Sequence, residues 1–129
     1  MTTPLTPPPK KDPQKRTVSP TRPPEMRSRA ALGLTAAAAD GRFQLQQCAE
    51  CGKVQYPPRD ACAGCLSPDL PWTDVSPAGE LIAETTVRTS TKLYFRERTP
   101  WRAGSVKLDA GPTIIAHVHG DVARGARVN

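Results

Sequence analysis

Aromatic side chains are scarce in this chain, which has two Trp, two Tyr and two Phe among 129 residues, and no run of about 18 apolar residues occurs. The absence of such a run argues against a membrane-spanning helix, and the polar, proline-rich start argues against a secretory signal. A chain this short allows one modest domain with appendages and excludes a large enzyme core. These features predict a soluble, cytoplasmic protein that has no membrane association.

Charge is distributed unevenly along the chain. The formal net charge is +6, but the seven basic and two acidic side chains of residues 1–29 account for +5, which leaves the remainder nearly neutral. Eight of the fifteen prolines fall within residues 1–24. Such a segment cannot bury enough apolar surface to offset its ordering entropy, so we expect a disordered tail over residues 1–24. A solubilising extension is the favoured interpretation, with docking on RNA, acidic lipid or an acidic protein as the alternative.

An alanine-rich segment follows the tail. Residues 25–40 favour a helix, and the Asp40-Gly41 pair after it is a stop signal. One face of this helix is apolar at three- and four-residue spacing, formed by Ala30, Ala31, Leu34 and Ala38. The pattern predicts a packing face, against either the same chain or a partner.

All four cysteines form two C-x-x-C pairs separated by ten residues: Cys48, Cys51, Cys62 and Cys65. Two such pairs can form facing knuckles whose four thiolates bind Zn²⁺ tetrahedrally. Two disulfides, a redox-active pair and an iron cluster are the alternatives, but disulfides need an oxidising compartment and a thioredoxin-like pair needs one C-x-x-C near a βαβ unit. We therefore predict a zinc cofactor, which four sulfurs would hold without an open position, as in a structural site.

Residues 41–65 carry a distinctive order of motifs, in which a Tyr-Pro-Pro-Arg loop at 56–59 separates the two cysteine pairs. This order resembles the zinc-ribbon/OB-fold proteins that accompany thiolases and other acyl-CoA enzymes, over about residues 28–128. The resemblance implies a mainly β chain, with a rubredoxin-like zinc ribbon at 41–74 and a small antiparallel OB-fold barrel at 75–129.

Alternating apolar residues predict three strands after the ribbon. Residues 79–90 form the first, with Leu81, Ala83, Thr85 and Val87 on one face and Ile82 as the exception. The second and third alternate at Val106 and Leu108, and at Ile114, Ala116 and Val118. We expect a C-terminally incomplete barrel that lacks one or two of five strands. A fragment is favoured over an edge supplied by another chain.

Basic and aromatic side chains cluster between the first two predicted strands. Guanidinium groups bind phosphates and stack on rings, so the cluster could contact coenzyme A or a partner enzyme, with a nucleic acid as the least favoured ligand. A solvated loop whose aromatics cover the ribbon–barrel junction or a partner surface is the first alternative. The candidate ligand or partner contacts are Arg96, Arg98, Trp101 and Arg102.

His117 and His119 share one face of a predicted strand and form an H-x-H-x-D motif with Asp121. Outward-facing polar residues are what the alternation predicts there. The sequence places no further histidine or glutamate to complete a catalytic set, and no G-x-S-x-G motif occurs. We predict no catalytic residue.

The resemblance implies a non-catalytic accessory subunit of an acyl-CoA-processing complex of thiolase, aldolase or hydratase type, in lipid, polyketide or steroid side-chain metabolism. Its expected partner is a thiolase-like or other acyl-CoA enzyme subunit, with acyl-CoA as a candidate ligand. The alternative function is a nucleic-acid-binding zinc-ribbon/OB-fold module. The near-neutral folded region and the lack of base-stacking aromatics on the predicted strands argue against it.

Overall fold

The computed structural model describes residues 28–129. The predicted disordered tail and the first three residues of the predicted helix lie outside this part. None of the helices in residues 28–129 has the length and apolarity needed to cross a membrane.

A 3-10 turn at Arg29–Ala31 continues into helix α1, Leu32–Ala39. The helix ends where Gly41 adopts φ +69°, a left-handed conformation that glycine tolerates. Ala31 and Ala37 are buried, whereas Ala38, which we had placed on the packing face, is exposed. The prediction for Ala38 is wrong because the side of the helix that faces the chain carries Ala31, the half-buried Leu34 and Ala37, and Ala38 lies beyond it.

Helix α1 packs against its own chain. Gly33 lies so close to the indole of Trp72 that a Cβ built on it would be 2.1 Å from the ring. Leu34 packs against the main hydrophobic core. Of the two alternatives for the packing face, the same chain or a partner, the structure shows packing against the same chain.

Three short strands form the first sheet: β1, Gln44–Gln47; β2, Val54–Gln55; and β3, Trp72–Asp74. The order is β2-β1-β3, and both pairings are antiparallel. Both cysteine pairs lie between β1 and β3, one on each side of β2. This arrangement is that of a zinc ribbon.

The second sheet contains β4, Gly79–Val87; β5, Trp101–Leu108; β6, Thr113–His117; and β7, Arg127–Val128. A one-turn helix α2, Leu93–Arg96, connects β4 to β5. The order is β6-β5-β4-β7, all antiparallel, and no pairing joins β6 to β7 within residues 28–129. The mainly β prediction, a ribbon followed by an OB-fold in the form of a curled half-barrel, is confirmed.

A β-bulge interrupts the first predicted strand of the barrel. Leu81 pairs with Val106 and Ala83 pairs with Ser105, so Ile82 is the extra residue. Leu81 is fully buried, whereas Ala83 is exposed. Placing these two residues on one face was wrong, because the bulge reverses the alternation that the sequence pattern assumed.

One hydrophobic core joins the two sheets. Leu45 of the ribbon clusters with Leu81, Val106 and Leu108 of the barrel, and all four are almost completely buried. Because the ribbon contributes a central side chain to this core, unfolding the ribbon would expose part of the core of the barrel.

Candidate metal centre

The first cysteine knuckle is a tight turn after β1. The Cys48 amide donates to the carbonyl of Lys53 at 2.9 Å, and the Gly52 amide donates back to the carbonyl of Cys48 at 2.9 Å. Gly52 has φ +73°, which a residue without a Cβ adopts without strain.

The second knuckle repeats this geometry. The Cys62 amide donates to the carbonyl of Ser67 at 2.8 Å, and the Leu66 amide donates to the carbonyl of Cys62 at 3.0 Å. Leu66 takes the position that Gly52 has in the first knuckle, with φ +65°. The two knuckles therefore have the same backbone turn, although their sequences differ.

The four sulfurs converge to within 4.8 Å of one another. The Cys48 and Cys65 sulfurs are 3.5 Å apart, and the Cys51 and Cys62 sulfurs are also 3.5 Å apart. A tetrahedral Zn²⁺ ion with bonds of about 2.3 Å would hold its sulfurs about 3.8 Å apart. The cage therefore has the dimensions of a four-coordinate metal site.

Backbone amides favour the thiolate form in this cage. Hydrogen bonds from the Cys65 and Gly64 amides lower the pKa of Cys62 to about 6, and the Cys51 amide lowers the pKa of Cys48. The pKa of Cys65 is instead raised to about 12. A hydrogen bond from the Ser67 amide lowers this pKa, but the neighbouring sulfurs and burial together outweigh that hydrogen bond. Four thiolates this close repel one another, so the cage requires a cation to hold them all ionised.

Two buried glutamines position the second knuckle. The Gln46 Oε1 accepts from the Arg59 amide at 2.8 Å and from Gln55 Nε2 at 3.0 Å. The Gln55 Oε1 in turn accepts from the Ala63 amide, between the cysteines of the second pair, at 2.9 Å. Sequence reasoning missed this network, although two glutamines on adjacent short strands were visible in the sequence.

The predicted contact residues lie in and after helix α2 and at the start of β5, which begins at Trp101. The expectation that the strands carry no aromatic residue is therefore wrong for Trp101. Arg96 ends helix α2, and the Arg98 guanidinium lies 3.7 Å from the centroid of the Tyr94 ring. The Trp101 ring packs on His117, with 4.6 Å between centroids. Two of the predicted contact side chains are thus partnered within the chain.

Arg102 binds within its own chain as well. Its guanidinium forms an ion pair with Glu84 of β4 and donates to the carbonyls of Gly120 at 2.6 Å and Val122 at 2.7 Å. These contacts hold the segment after β6 against the sheet. His117 and His119 are exposed, with ring centroids 6.3 Å apart, and the structure brings no third metal-ligating side chain to them within residues 28–129.

Comparison with known families accounts for this arrangement. Residues 35–71 match the model described as ChsH2, rubredoxin-like zinc ribbon domain, and residues 72–129 match the model described as ChsH2, C-terminal OB-fold domain. The chain belongs to the ChsH2 family. The predicted resemblance to zinc-ribbon/OB-fold proteins is confirmed, and the ChsH2-type ribbon contains all four cysteines. No curated protein matches the chain.

A solved structure titled "Ltp2-ChsH2(DUF35) aldolase" is similar to this chain, with a TM-score of 0.68 and 22% sequence identity. The match covers 82% of this chain and 84% of the other. At this identity the likeness shows the fold, in which the ChsH2-type ribbon precedes the barrel.

Proposed function

We propose that this protein is a non-catalytic accessory subunit of an acyl-CoA-processing enzyme complex. The observation that carries the proposal is the pair of ChsH2 domain matches in series over residues 35–129. The similar structure is titled as a complex of a ChsH2 chain with Ltp2 and as an aldolase, which supports an enzyme subunit as the partner here. A thiolase, aldolase or hydratase type of complex, in lipid, polyketide or steroid side-chain metabolism, fits this family.

The metal in this proposal is Zn²⁺, held by Cys48, Cys51, Cys62 and Cys65. Soft thiolate ligands in a tetrahedral arrangement suit zinc, and the spacing of the sulfurs fits its bond length. Four sulfurs fill the coordination sphere, so the ion contributes folding free energy and leaves no position for substrate. The ribbon is therefore a structural module.

The chemistry would come from the partner subunit. The described cysteines all lie in the cage. Three of the four predicted contacts are engaged within the chain: Arg98 by Tyr94, Trp101 by His117 and Arg102 by Glu84. We assign Arg96, Arg98 and Trp101 to the surface that meets the partner or its acyl-CoA, with Arg102 holding the neighbouring segment in place.

The nucleic-acid alternative needs aromatic rings that are open to stack on bases. The Tyr94 ring is covered by Arg98, and the Trp101 ring packs on His117. This pairing favours the accessory-subunit function over polynucleotide binding.

The experiment measures acyl-CoA turnover with and without the partner. The isolated chain should have no turnover, and the assembled complex should be active. Replacing Arg96 and Arg98 with Ala should lower partner affinity or turnover by the complex, whereas the matched Arg124→Ala change, at an exposed site in another segment, should not.

Binding of single-stranded nucleic acid tests the alternative function. We expect affinity to fall tenfold or more between about 50 and 200 mM salt, as for phosphate contacts alone. Sub-micromolar binding that survives deletion of residues 1–24 and is lost on replacing Tyr94 or Trp101 would overturn the proposal, as would turnover by the isolated chain.

A further inference from the structure

Leu66, at the tip of the second cysteine knuckle, is 77% exposed. This is the largest exposed fraction among the large apolar residues of residues 28–129; Ile115 follows at 63% and Leu32 at 57%. An isolated exposed leucine is ordinary on a protein surface. Its backbone conformation is what sets Leu66 apart.

Leu66 is the one non-glycine residue with positive φ in the described part of the chain. In the left-handed region the Cβ of an L-residue approaches its own carbonyl oxygen, so a leucine there is strained. The first knuckle has the same turn and hydrogen bonds, and it has Gly52 at the equivalent position. The turn itself therefore does not require a leucine.

The strain is not offset by packing within the chain. Leu66 is absent from the hydrophobic core and from the partly buried side chains that pack against it. A residue that is both strained and exposed indicates a role outside the fold, since strain of this kind is retained where function depends on it.

The surroundings of Leu66 indicate the chemistry of its partner. Apart from the cage thiolates, residues 61–68 contain no charged side chain, although Asp60 and Asp69 flank them, and Ala63 and Pro68 are exposed beside Leu66. Lys53 of the first knuckle reaches this segment through its aliphatic stem, near Gly64. Lys53 and Arg59 line one pocket together with Ala63, and two cations do not form the run that a polyanion needs. An aliphatic side chain among small neighbours fits an apolar pocket on a protein.

We propose that Leu66 is the central contact through which the second knuckle docks into an apolar pocket of the enzyme subunit. The partner's identity rests on the proposed function, whereas the role of Leu66 rests on its strain, its exposure and the small side chains exposed beside it. The contact explains why a glycine position is occupied by leucine: burial in the pocket recovers the apolar surface that the free chain exposes.

The test uses the full-length zinc-loaded chain and the purified acyl-CoA enzyme subunit that co-purifies with it. Leu66→Gly relieves the strain and removes the contact, so we expect its Tm to rise by about 2–5 °C while partner affinity falls at least tenfold. Aspartate also tolerates the left-handed region, so Leu66→Asp should keep the turn while its partner affinity falls at least tenfold. Leu32→Asp is the matched control, because it changes another exposed leucine, and its affinity should stay within twofold.

The outcomes separate the two proposals. If the wild-type chain does not bind any acyl-CoA enzyme subunit, the proposed function is overturned and the partner assignment falls with it. If the wild type binds but both Leu66 variants bind within twofold of it, the docking role is overturned and the proposed function stands. A lower Tm for Leu66→Gly would overturn the strain argument.

Discussion

Removing the metal should unfold the ribbon and weaken the barrel. A structural zinc ion contributes about 10–16 kcal/mol in zinc-finger peptides, comparable to the whole stability of a small domain at about 5–15 kcal/mol. The ribbon strands β1 to β3 have two to four residues each, and Leu45 is the large apolar side chain that they bury completely. We therefore expect the ribbon to be unfolded without the ion.

The barrel should lose stability because Leu45 belongs to its core. Withdrawing this side chain resembles a large-to-small core substitution, which costs about 2–5 kcal/mol. For a unit of this size the loss lowers the Tm of the barrel by at least about 10 °C. A barrel that was independent of the ribbon would keep its Tm.

Trp72 provides the assay, since it lies in β3 and contacts Gly33 of helix α1. In a Trp101→Phe background it is the sole indole, so its emission reports on the ribbon. Cys62→Ser, or treatment with a chelator, should shift that emission to the red and abolish zinc in elemental analysis. Ala63→Ser, a change in the same knuckle, is the control and should alter neither. An unchanged Trp72 emission and Tm in metal-free protein would show that the ribbon folds without the ion.

Three further changes test individual contacts. Gly33→Ala places a Cβ against the Trp72 ring and should cost about 1–3 kcal/mol in denaturant unfolding. Arg102→Met removes an ion pair and two carbonyl contacts and should cost about 1–2 kcal/mol by the same measurement. Asp109→Asn removes the ion pair with Arg127 and should increase amide exchange in β7. The Arg127 hydrogen bond lowers the pKa of Asp109, so the wild-type carboxylate stays ionised down to about pH 5. The ratio of the variant's exchange rate to that of the wild type at the same pH should therefore be constant from about pH 8 to pH 5 and fall toward one only at more acidic pH.

The sequence was informative wherever one local pattern determines the structure. Cysteine spacing predicted the cage because a C-x-x-C turn directs both sulfurs to one side, and alternation predicted the buried Val106 and Leu108. The Asp40-Gly41 stop signal coincides with the end of α1 because a positive φ terminates the helix there.

Tertiary features were not predictable in this way. Ile82 breaks the alternation in the sequence, but periodicity alone does not distinguish a bulge, which moves Ala83 to the other face, from one exposed apolar residue in a regular strand. The two-residue strand β7 depends on its pairing with Gly79 and Glu80, which has no signature in so short a segment. The buried amides of Gln46 and Gln55 meet only because β1 and β2 pair, and no local pattern predicts the pairing of such short strands.

Native mass spectrometry of the complex isolated from the host organism examines whether this chain is an accessory subunit of an acyl-CoA enzyme. We expect a complex of defined stoichiometry in which the full-length chain, with one zinc ion per copy, is bound to an acyl-CoA enzyme subunit that peptide sequencing identifies. Co-isolation with nucleic acid alone, or a zinc-free chain with no enzyme partner, would contradict it.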